Sequence, residues 1–207
     1  MVDAAGTASS APARRPRAEE TAERRRNLLA AAAELAGEGG YEAVQMRDVA
    51  SRAGVALGTL YRHYSSKDQL LVACLAQQAA TLRTRLHQRP PRGDTPAERV
   101  ADALGRACRA LEREPKLTAA MVTAMSAPDE DAAALKVGVL DELTGIIAAA
   151  LDGPAGDRDP AELAAIVRTL GHVWFSALVF QVGGLAPAGQ TAADLGAAAR
   201  LLLSPCR

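Results

Sequence analysis

Cationic, aromatic and hydroxyl side chains gather between Gln45 and Lys67, in the run QMRDVASRAGVALGTLYRHYSSK, where Asp48 is the one acid. Such groups suit the phosphates and base edges of a DNA major groove. The spacing of apolar residues predicts a first helix over residues 46–53, a break at Gly54 and a second helix that begins at Gly58. Two short helices joined by a tight turn can place the second one in a major groove. An ordinary helical hairpin whose polar residues meet only water would give the same pattern.

Helices this short need supporting neighbours, because they are not stable alone. Upstream, apolar residues repeat at helical spacing and stop at Gly39 and Gly40, which predicts a supporting helix. These residues are Leu28, Leu29, Ala32, Leu35 and Ala36. Downstream, the run SKDQ at residues 66–69 has the form of a capping box and predicts the start of a longer helix. Residues 19–66 are therefore expected to form a compact helix-turn-helix domain of three helices.

The run GGYEAVQMRDVASRAGVALGTLYRHYSSKDQLL resembles the N-terminal domain of the tetracycline-repressor (TetR) family. The family pattern is a Gly-Tyr lead-in, an R-[DE]-[IV]-A helix, G-V, G-x-[LI]-Y-x-[HY]-[FY] and then S-K. The resemblance implies a ligand-responsive repressor that binds a palindromic operator in double-stranded DNA as a homodimer and is released by a small apolar inducer. Within the family, the runs YEAVQMR, GTLYR, REPKLTAAM and HVWFSALV are most similar to repressors of cholesterol-catabolism genes. That similarity implies a sterol-derived acid or its coenzyme A thioester as the ligand.

The resemblance also assigns DNA contacts, which the side-chain chemistry can serve. The positions that match the family's contacts are Ala56, Thr59, Tyr61, His63 and Lys67. Thr59 can bond to a base or a phosphate, and Tyr61 can stack on a sugar or bond to a phosphate. Lys67 falls in the first turn of a helix, where free N–H groups would also suit a phosphate.

Three neighbouring positions complete the expected DNA-binding surface. We refer to residues 45–67, which carry this surface, as the reading head. Arg47 opens the first helix and is expected to lie against a backbone phosphate. Gln45 departs from the Thr or Ser that is common in the family and is a poorer N-cap. Either Gln45 is free for a phosphate contact, or the helix start has shifted by one residue. Tyr64, where the family usually has Phe, is expected to pack inward.

Ten of the 24 lysine and arginine residues fall in the first third of the chain, although its formal net charge is zero. This distribution favours one face that meets nucleic acid. Residues 1–18 are small, polar and proline-bearing, and are expected to be a disordered basic arm without a secretory signal, which favours a cytoplasmic protein. The cluster RRPR at residues 14–17 is either an arm that reaches the duplex or a solvated tail. Arg24, Arg25 and Arg26 are expected at the front of a helix, where they oppose its dipole.

Residues 67–207 are predicted to form a helical domain for ligand binding and dimerisation. The runs TPAE at 95–98, DPAE at 159–162 and TAAD at 191–194 each place a capping residue three positions before an acid. Two of these runs also have a proline at the first helical position. No stretch alternates with a period of two residues, so the chain is predicted to be all-α, with about nine helices.

The segment from Thr169 to Ala193 has no charged side chain at neutral pH. Its continuous apolar part is too short for a membrane span, because Gln181 and Pro187 interrupt it. A soluble helix that is apolar on all sides must be covered on all sides. The segment therefore predicts a homodimer through helices at roughly residues 160–183 and 191–203, packed as four helices with two from each subunit.

A ligand pocket is expected among these C-terminal helices. Its candidate lining is Leu104, Cys108, Met121, Met125, Ile147, Trp174, Phe175 and Leu178. Methionines and the single tryptophan suit an adaptable apolar cavity, but they suit an ordinary core equally well. The nearest polar groups that could orient a ligand are His172, Gln181 and Thr123.

An all-helical enzyme is the alternative from another class, and the inventory of reactive residues disfavours it. The three cysteines lie far apart without metal-ligand spacing, and the three histidines have no partner at i+4. The chain contains no GxSxG motif, phosphate loop or dinucleotide fingerprint, so no catalytic residue, cofactor or metal is expected. The remaining alternative is a DNA architectural protein that ignores sequence. The large, neutral and apolar C-terminal half disfavours it, because that function does not require such a domain.

Overall fold

The computed structural model describes residues 17–151 and 159–203, and within these ranges the chain contains helices and no strand. The helices are α1 (Arg17–Gly39), α2 (Met46–Arg52), α3 (Leu57–His63), α4 (Lys67–Gln88), α5 (Pro96–Glu112), α6 (Pro115–Ser126), α7 (Ala133–Ala150), α8 (Pro160–Val182) and α9 (Gln190–Leu203). A short 3-10 turn at Tyr41–Ala43 joins α1 to α2. The predicted all-α class with about nine helices is confirmed. Residues 1–16, which hold most of the expected basic arm, lie outside the described ranges.

Side-chain caps fix three of the helix starts that the sequence predicts. Thr95 forms a complete capping box with Glu98 at α5, and Asp159 accepts a hydrogen bond from the Ala161 backbone N–H at 3.1 Å at α8. Both helices have a proline at the first position, where a missing N–H has no intrahelical partner to lose. At α4, Ser66 Oγ accepts from the Gln69 N–H at 3.1 Å.

The predicted cap of α9 is wrong. The helix begins at Gln190, so Thr191 lies inside its first turn and is only 1% exposed. A buried hydroxyl needs a partner. Thr191 donates to Gln181 Oε1 at 2.7 Å, across the turn between α8 and α9, instead of capping its own helix.

Two other boundaries differ from the sequence prediction. α1 begins at Arg17, so Arg24, Arg25 and Arg26 lie about two turns inside the helix rather than at its front. The helix dipole acts mainly within the first turn, and acidic residues occupy that turn. The second reading helix begins at Leu57, one residue ahead of Gly58.

The buried apolar residues form two clusters that meet at Trp174. The first cluster joins α1, α2, α3, the N-terminal half of α4 and α6, and the second joins α5, α7, α8, α9 and the end of α4. Trp174 of α8 packs against both. The core of the N-terminal helices thus continues into α6 and crosses the expected division between residues 66 and 67, which stays a prediction.

Helix α8 is the one described helix that is long and apolar enough to cross a membrane by length and composition alone. Core helices of soluble proteins pass the same test. In the single chain α8 keeps a partly exposed apolar side that includes Phe175, Val179 and Phe180.

Candidate nucleic-acid interface and ligand pocket

Helix α3 has a buried side and an exposed side. Leu60 has no exposed surface, and Tyr64, directly after the helix, is 3% exposed. Tyr64 Oη accepts a hydrogen bond from Arg25 Nε at 3.1 Å, so the predicted inward packing of Tyr64 is confirmed. On the opposite side Tyr61 is 51% exposed, and Leu57, one turn earlier, is 36% exposed. The short helix therefore presents an aromatic ring and a leucine to the outside.

The turn before α3 depends on Gly54, which adopts a φ of 67°. Residues with a Cβ rarely adopt this left-handed conformation, so the predicted break falls at a position that favours glycine. The Val55 N–H donates to Ala50 O at 3.0 Å and closes the turn. The turn is what sets α2 and α3 against each other.

All of the positions expected to contact DNA are accessible. Gln45, Arg47, Ala56 and Tyr61 are exposed, whereas Thr59, His63 and Lys67 are partly exposed. Thr59 Oγ1 accepts from Arg62 Nη2 at 3.1 Å. Because the guanidinium uses an oxygen lone pair, the Thr59 hydroxyl can still donate its hydrogen to a base or phosphate.

Gln45 occupies the N-cap position of α2 without capping it. Its backbone is extended and its side chain makes no cap hydrogen bond. Gln45 Nε2 instead donates to Glu42 O at 2.9 Å. The helix starts at Met46, as the spacing of apolar residues predicts, so the alternative of a start shifted by one residue is wrong.

Lys67 is held at the start of α4 by two neighbours. Its Nζ lies 3.8 Å from the centroid of the Tyr41 ring and 3.7 Å from Glu42 Oε2. Tyr41 Oη in turn donates to Asp68 Oδ1 at 2.6 Å. Burial, followed by this hydrogen bond, raises the pKa of Tyr41 to about 12. These contacts place a positive charge at a defined position beside the reading helix.

Arg52, which the sequence predicts to be an outward basic residue, lies on the surface and forms an ion pair with α1. Its guanidinium contacts both carboxylate oxygens of Glu38 on α1, at 2.6 and 3.2 Å. Hydrogen bonding from Arg52 lowers the pKa of Glu38 below its usual range. Lys116 of α6 donates to the Glu38 backbone O at 2.8 Å. The end of α1 thus ties α2 to α6.

A hydrogen-bonded contact joins the reading head to the loop between α6 and α7. Ser66 Oγ donates to Asp129 Oδ2 at 2.5 Å, and Ser65 Oγ donates to Asp131 Oδ2 at 3.0 Å. Gln69 Nε2 also donates to Asp131 O at 2.6 Å. The bond from Ser66 lowers the pKa of Asp129. We refer to the two side-chain pairs, Ser66–Asp129 and Ser65–Asp131, as the serine–aspartate contact.

An apolar cavity of about 120 Å³ lies among α4, α5, α6, α7 and α8. Its lining is Leu75, Gln78, Ala79, Leu82, Ala107, Ala110, Leu111, Thr118, Met121, Val122, Met125, Val139, Leu140, Leu143, Ile146, Gly171, Trp174, Phe175 and Leu178. Five expected residues belong to this set, namely Met121, Met125, Trp174, Phe175 and Leu178.

Three expected lining residues, Leu104, Cys108 and Ile147, do not border the cavity. They are buried in the second core cluster. Helical spacing identifies a buried side, but it does not distinguish a neighbour of a void from a residue packed beside it. The expected polar groups also lie elsewhere, since Gln181 bonds Thr191 and Thr123 donates to Ala119 O at 3.0 Å.

A wide basic groove of about 1260 Å³ adjoins the cavity between α1, α4 and α5. Its arginines are Arg26, Arg85, Arg89, Arg92, Arg106, Arg109 and Arg113, against the carboxylates of Asp102 and Glu114. The groove shares Gln78, Leu82 and Ala110 with the cavity lining. An apolar space thus opens beside a strongly positive one.

Two family models match most of the chain. The model "Bacterial regulatory proteins, tetR family" matches residues 28–74, and the model "Tetracyclin repressor-like, C-terminal domain" matches residues 93–202. The chain belongs to the TetR family. The resemblance in the reading-head sequence is thereby confirmed, and it extends to the C-terminal half of the chain.

Similar TetR-family proteins are named transcriptional repressors. The repressor KstR of Rhodococcus jostii is 43% identical over 76% of this chain and 72% of its own length. KstR of Mycobacterium tuberculosis is 36% identical over 87% of this chain and 81% of its own length. The expected transcriptional regulator, rather than an enzyme, is therefore confirmed.

Solved TetR-family structures share the fold. A TetR regulator from Rhodococcus sp. RHA1 superposes with a TM-score of 0.81 at 30% identity, covering 91% of this chain and all of that one. The Thermus thermophilus repressor FadR, solved with lauroyl-CoA, gives a TM-score of 0.70 at 24% identity, covering 88% and 96%. At that identity the likeness to FadR concerns the fold alone.

Sequence reasoning did not identify two features of this TetR-family site. The serine–aspartate contact joins residues 63 and 66 positions apart, so no local pattern indicates it. The arginines of the basic groove come from three helices and their connections. The one signal for them in the sequence is the density of arginines between residues 85 and 113, which the sequence analysis did not use.

Proposed function

We propose that this TetR-family chain is a cytoplasmic repressor that binds a palindromic operator as a homodimer and releases it when a ligand with an apolar body binds. The observation that carries the proposal is the two-sided helix α3, with Leu60 buried and Tyr61 and Leu57 exposed. An exposed ring and leucine on a short helix do not stabilise the free chain, but they suit sugar, base and methyl contacts in a major groove. The repressor names of the relatives support this direction of control.

Dimerisation through α8 and α9 would cover the apolar side of α8. Phe175, Val179, Phe180 and Val182 are each between 38% and 50% exposed in the single chain. Exposed apolar patches of this kind mark contact surfaces. A two-fold axis there would hold two α3 helices at a fixed separation, as a palindromic operator requires.

The ligand that we propose is a coenzyme A thioester whose acyl body is apolar and, by likeness to KstR, sterol-derived. The apolar cavity suits the acyl body, and the arginines of the adjoining groove suit the phosphates of the coenzyme. FadR, which shares the fold, was solved with lauroyl-CoA. No described residue contradicts this combination of an apolar tail and an anionic head.

Such a ligand is larger than the cavity, so binding must widen it. A cavity of roughly 150 Å³ accepts a molecule the size of benzene, whereas this one measures about 120 Å³. Met121 and Met125 line it with flexible side chains that can repack. A ligand that binds the widened state more tightly than the closed one shifts the protein toward the widened state.

The serine–aspartate contact offers a route from the pocket to the reading head. Met125 of α6 and Val139 of α7 line the cavity, and the loop between these helices carries Asp129 and Asp131. Movement of α6 or α7 would pull on Ser66, next to Lys67 at the start of α4. We infer that ligand binding alters the position of the reading head through this loop.

The test begins by footprinting sheared genomic DNA with the full-length protein and titrating the recovered site by gel shift. Lauroyl-CoA, a sterol-derived acyl-CoA, free coenzyme A and lauric acid are then added in parallel. We expect the thioesters to lower operator affinity and the two fragments to fail, because only a thioester fills the cavity and the groove together. Light scattering should report a dimer throughout.

A matched pair of variants checks the role of the groove. Arg109→Gln removes one of its charges and should weaken the response to the thioesters, whereas Arg109→Lys should retain most of it. A monomer with no preference among duplexes would overturn the proposal and favour the architectural alternative. Operator binding that neither thioester changes would remove the ligand from the proposal.

A further inference from the structure

The side chain of Trp174 lies on the wall of a cavity whose lining is almost entirely apolar. The residue lies on α8 and packs against both core clusters. Among the other cavity residues only Gln78 and Thr118 have polar side chains. The Thr118 hydroxyl is already engaged, since it donates to Leu111 O at 2.7 Å.

The indole N–H of Trp174 has no acceptor in the described part of the chain. Its Nε1 atom is buried and makes no hydrogen bond. Most buried donors in proteins have a partner, and one that lacks a partner destabilises the fold. A phenylalanine would supply a similar apolar ring without this cost. The fold therefore gains nothing from the N–H in the closed state.

Water is a poor candidate for the missing acceptor. A buried water needs two to four polar partners, and the cavity lining consists almost wholly of apolar side chains. A carbonyl oxygen that belongs to an apolar ligand does not need two to four polar partners, because the ligand itself holds it in the cavity. Such an oxygen can accept the hydrogen bond from the indole N–H alone.

We propose that, when a ligand widens the cavity, Trp174 Nε1 donates a hydrogen bond to a carbonyl oxygen on the apolar body of that ligand. The inference rests on the proposed ligand-binding function and specifies the chemistry of the ligand. The pocket selects an oxygenated apolar molecule over a hydrocarbon of the same shape, by about five- to tenfold in affinity. The bond forms only when the pocket is filled, so it favours the ligand-bound state alone.

The chain contains one tryptophan, so its indole signals report on Trp174 without ambiguity. Two probes of nearly the same shape are acetophenone, which has a carbonyl oxygen, and α-methylstyrene, which has a CH₂ group in its place. Each is titrated into the 15N-labelled full-length protein. We expect acetophenone to move the indole proton downfield, as hydrogen bonding does, and α-methylstyrene to bind without that shift. Equal shifts with both probes, or no binding of either, would overturn the proposal.

Trp174→Phe keeps a ring in place and removes the donor. Calorimetric titration should show a five- to tenfold loss of affinity for acetophenone and no comparable loss for α-methylstyrene. Phe175→Leu changes the lining without altering a polar group, and should affect both probes alike.

Equal losses of affinity for both probes in Trp174→Phe would contradict the proposed hydrogen bond. If that variant fails to fold, the spectra of the unmodified protein still decide. Neither measurement uses DNA or a thioester, so failure of the proposed function is seen separately.

Discussion

In the reading head, the stability of the fold and the proposed function depend on different residues. In the proposed ligand pocket, both depend on the same residues. In α3, Leu60 is buried and stabilises the fold, whereas Tyr61 next to it faces outward, so the side chain proposed to contact DNA is not the one that stabilises the helix. In the pocket, Met121 and Leu178 are members of the core cluster and also line the cavity. Substitutions in the head should therefore separate function from stability, whereas substitutions in the pocket should change both. Each of the following predictions tests that difference.

The largest effect is expected in the pocket. Met121 is 1% exposed, so Met121→Ala should lower the free energy of unfolding by about 2–5 kcal/mol, from lost burial and an enlarged cavity. Urea denaturation measures this. Met125→Ala, at a partly buried lining position, is the matched control and should cost less. A loss below about 1 kcal/mol for Met121→Ala would show that the cavity lining contributes little to the stability of the fold.

The reading head should show the opposite behaviour. Tyr61→Ala and Thr59→Ala should each weaken operator binding by about 1–3 kcal/mol, because a contact to the duplex is lost. Their free energies of unfolding should change by no more than about 0.5 kcal/mol, since neither side chain is buried. Gel shifts and urea denaturation measure the two quantities. Thr84→Ala, an exposed hydroxyl on α4, should change neither. Unchanged DNA binding in both head variants would remove α3 as the reading helix.

Asp129→Ala should weaken the effect of ligand binding on operator affinity, while ligand binding and operator binding themselves are retained. Loss of the bond from Ser66 should reduce the difference in operator affinity with and without lauroyl-CoA, by about 0.5–2 kcal/mol. Glu130→Ala, at the exposed neighbouring position, is the control. The pKa of Asp129 is lowered in the folded protein, so this contribution is present at neutral pH and is lost only as the solution becomes acidic enough to protonate the carboxylate. A full ligand response in Asp129→Ala would place the coupling elsewhere.

Gly58→Ala should raise the free energy of unfolding but lower the affinity for the operator. A Cβ at Gly58 meets no atom within 4 Å, and alanine stabilises a helix relative to glycine by about 0.5–1 kcal/mol. Gly138→Ala in α7 has the same free space and should give a similar gain without any effect on the operator. If both variants bind DNA normally, the bare backbone at Gly58 does not approach the duplex.

The last effect concerns alkaline pH. Because the pKa of Tyr41 is about 12 in the folded protein, above the ordinary 10, its contribution is complete below pH 10. The free energy of unfolding should then fall as the pH rises from 10 toward 12. Tyr41→Phe should show a shallower fall, measured by urea denaturation along the pH series. Tyr61→Phe, at an exposed ring, should follow the unmodified protein. An equal slope in Tyr41→Phe would mean that burial and the bond to Asp68 do not raise the pKa of Tyr41.

The sequence predicted the reading head better than the pocket for a physical reason. The head is local: Gly54, the apolar spacing and the S-K start of α4 follow one another within a single run. The pocket is a void among five helices, and periodicity alone placed Leu104 and Ile147 beside it when they pack in solid core. Thr191 likewise matched a capping pattern, but its partner is Gln181, reached through tertiary structure. Long-range geometry of this kind is not encoded in short-range spacing.

Helix α4 is a single uninterrupted rod of 22 residues, which is about 33 Å long. If it pivots at its C-terminal end, a rotation of about 5° carries Lys67 through about 3 Å, the length of one hydrogen bond. Leu75 and Leu82 place the wall of the cavity along its middle, so the swing at the cavity is only a fraction of that at the tip. A pocket that opens by the width of an atom can therefore break register with the duplex.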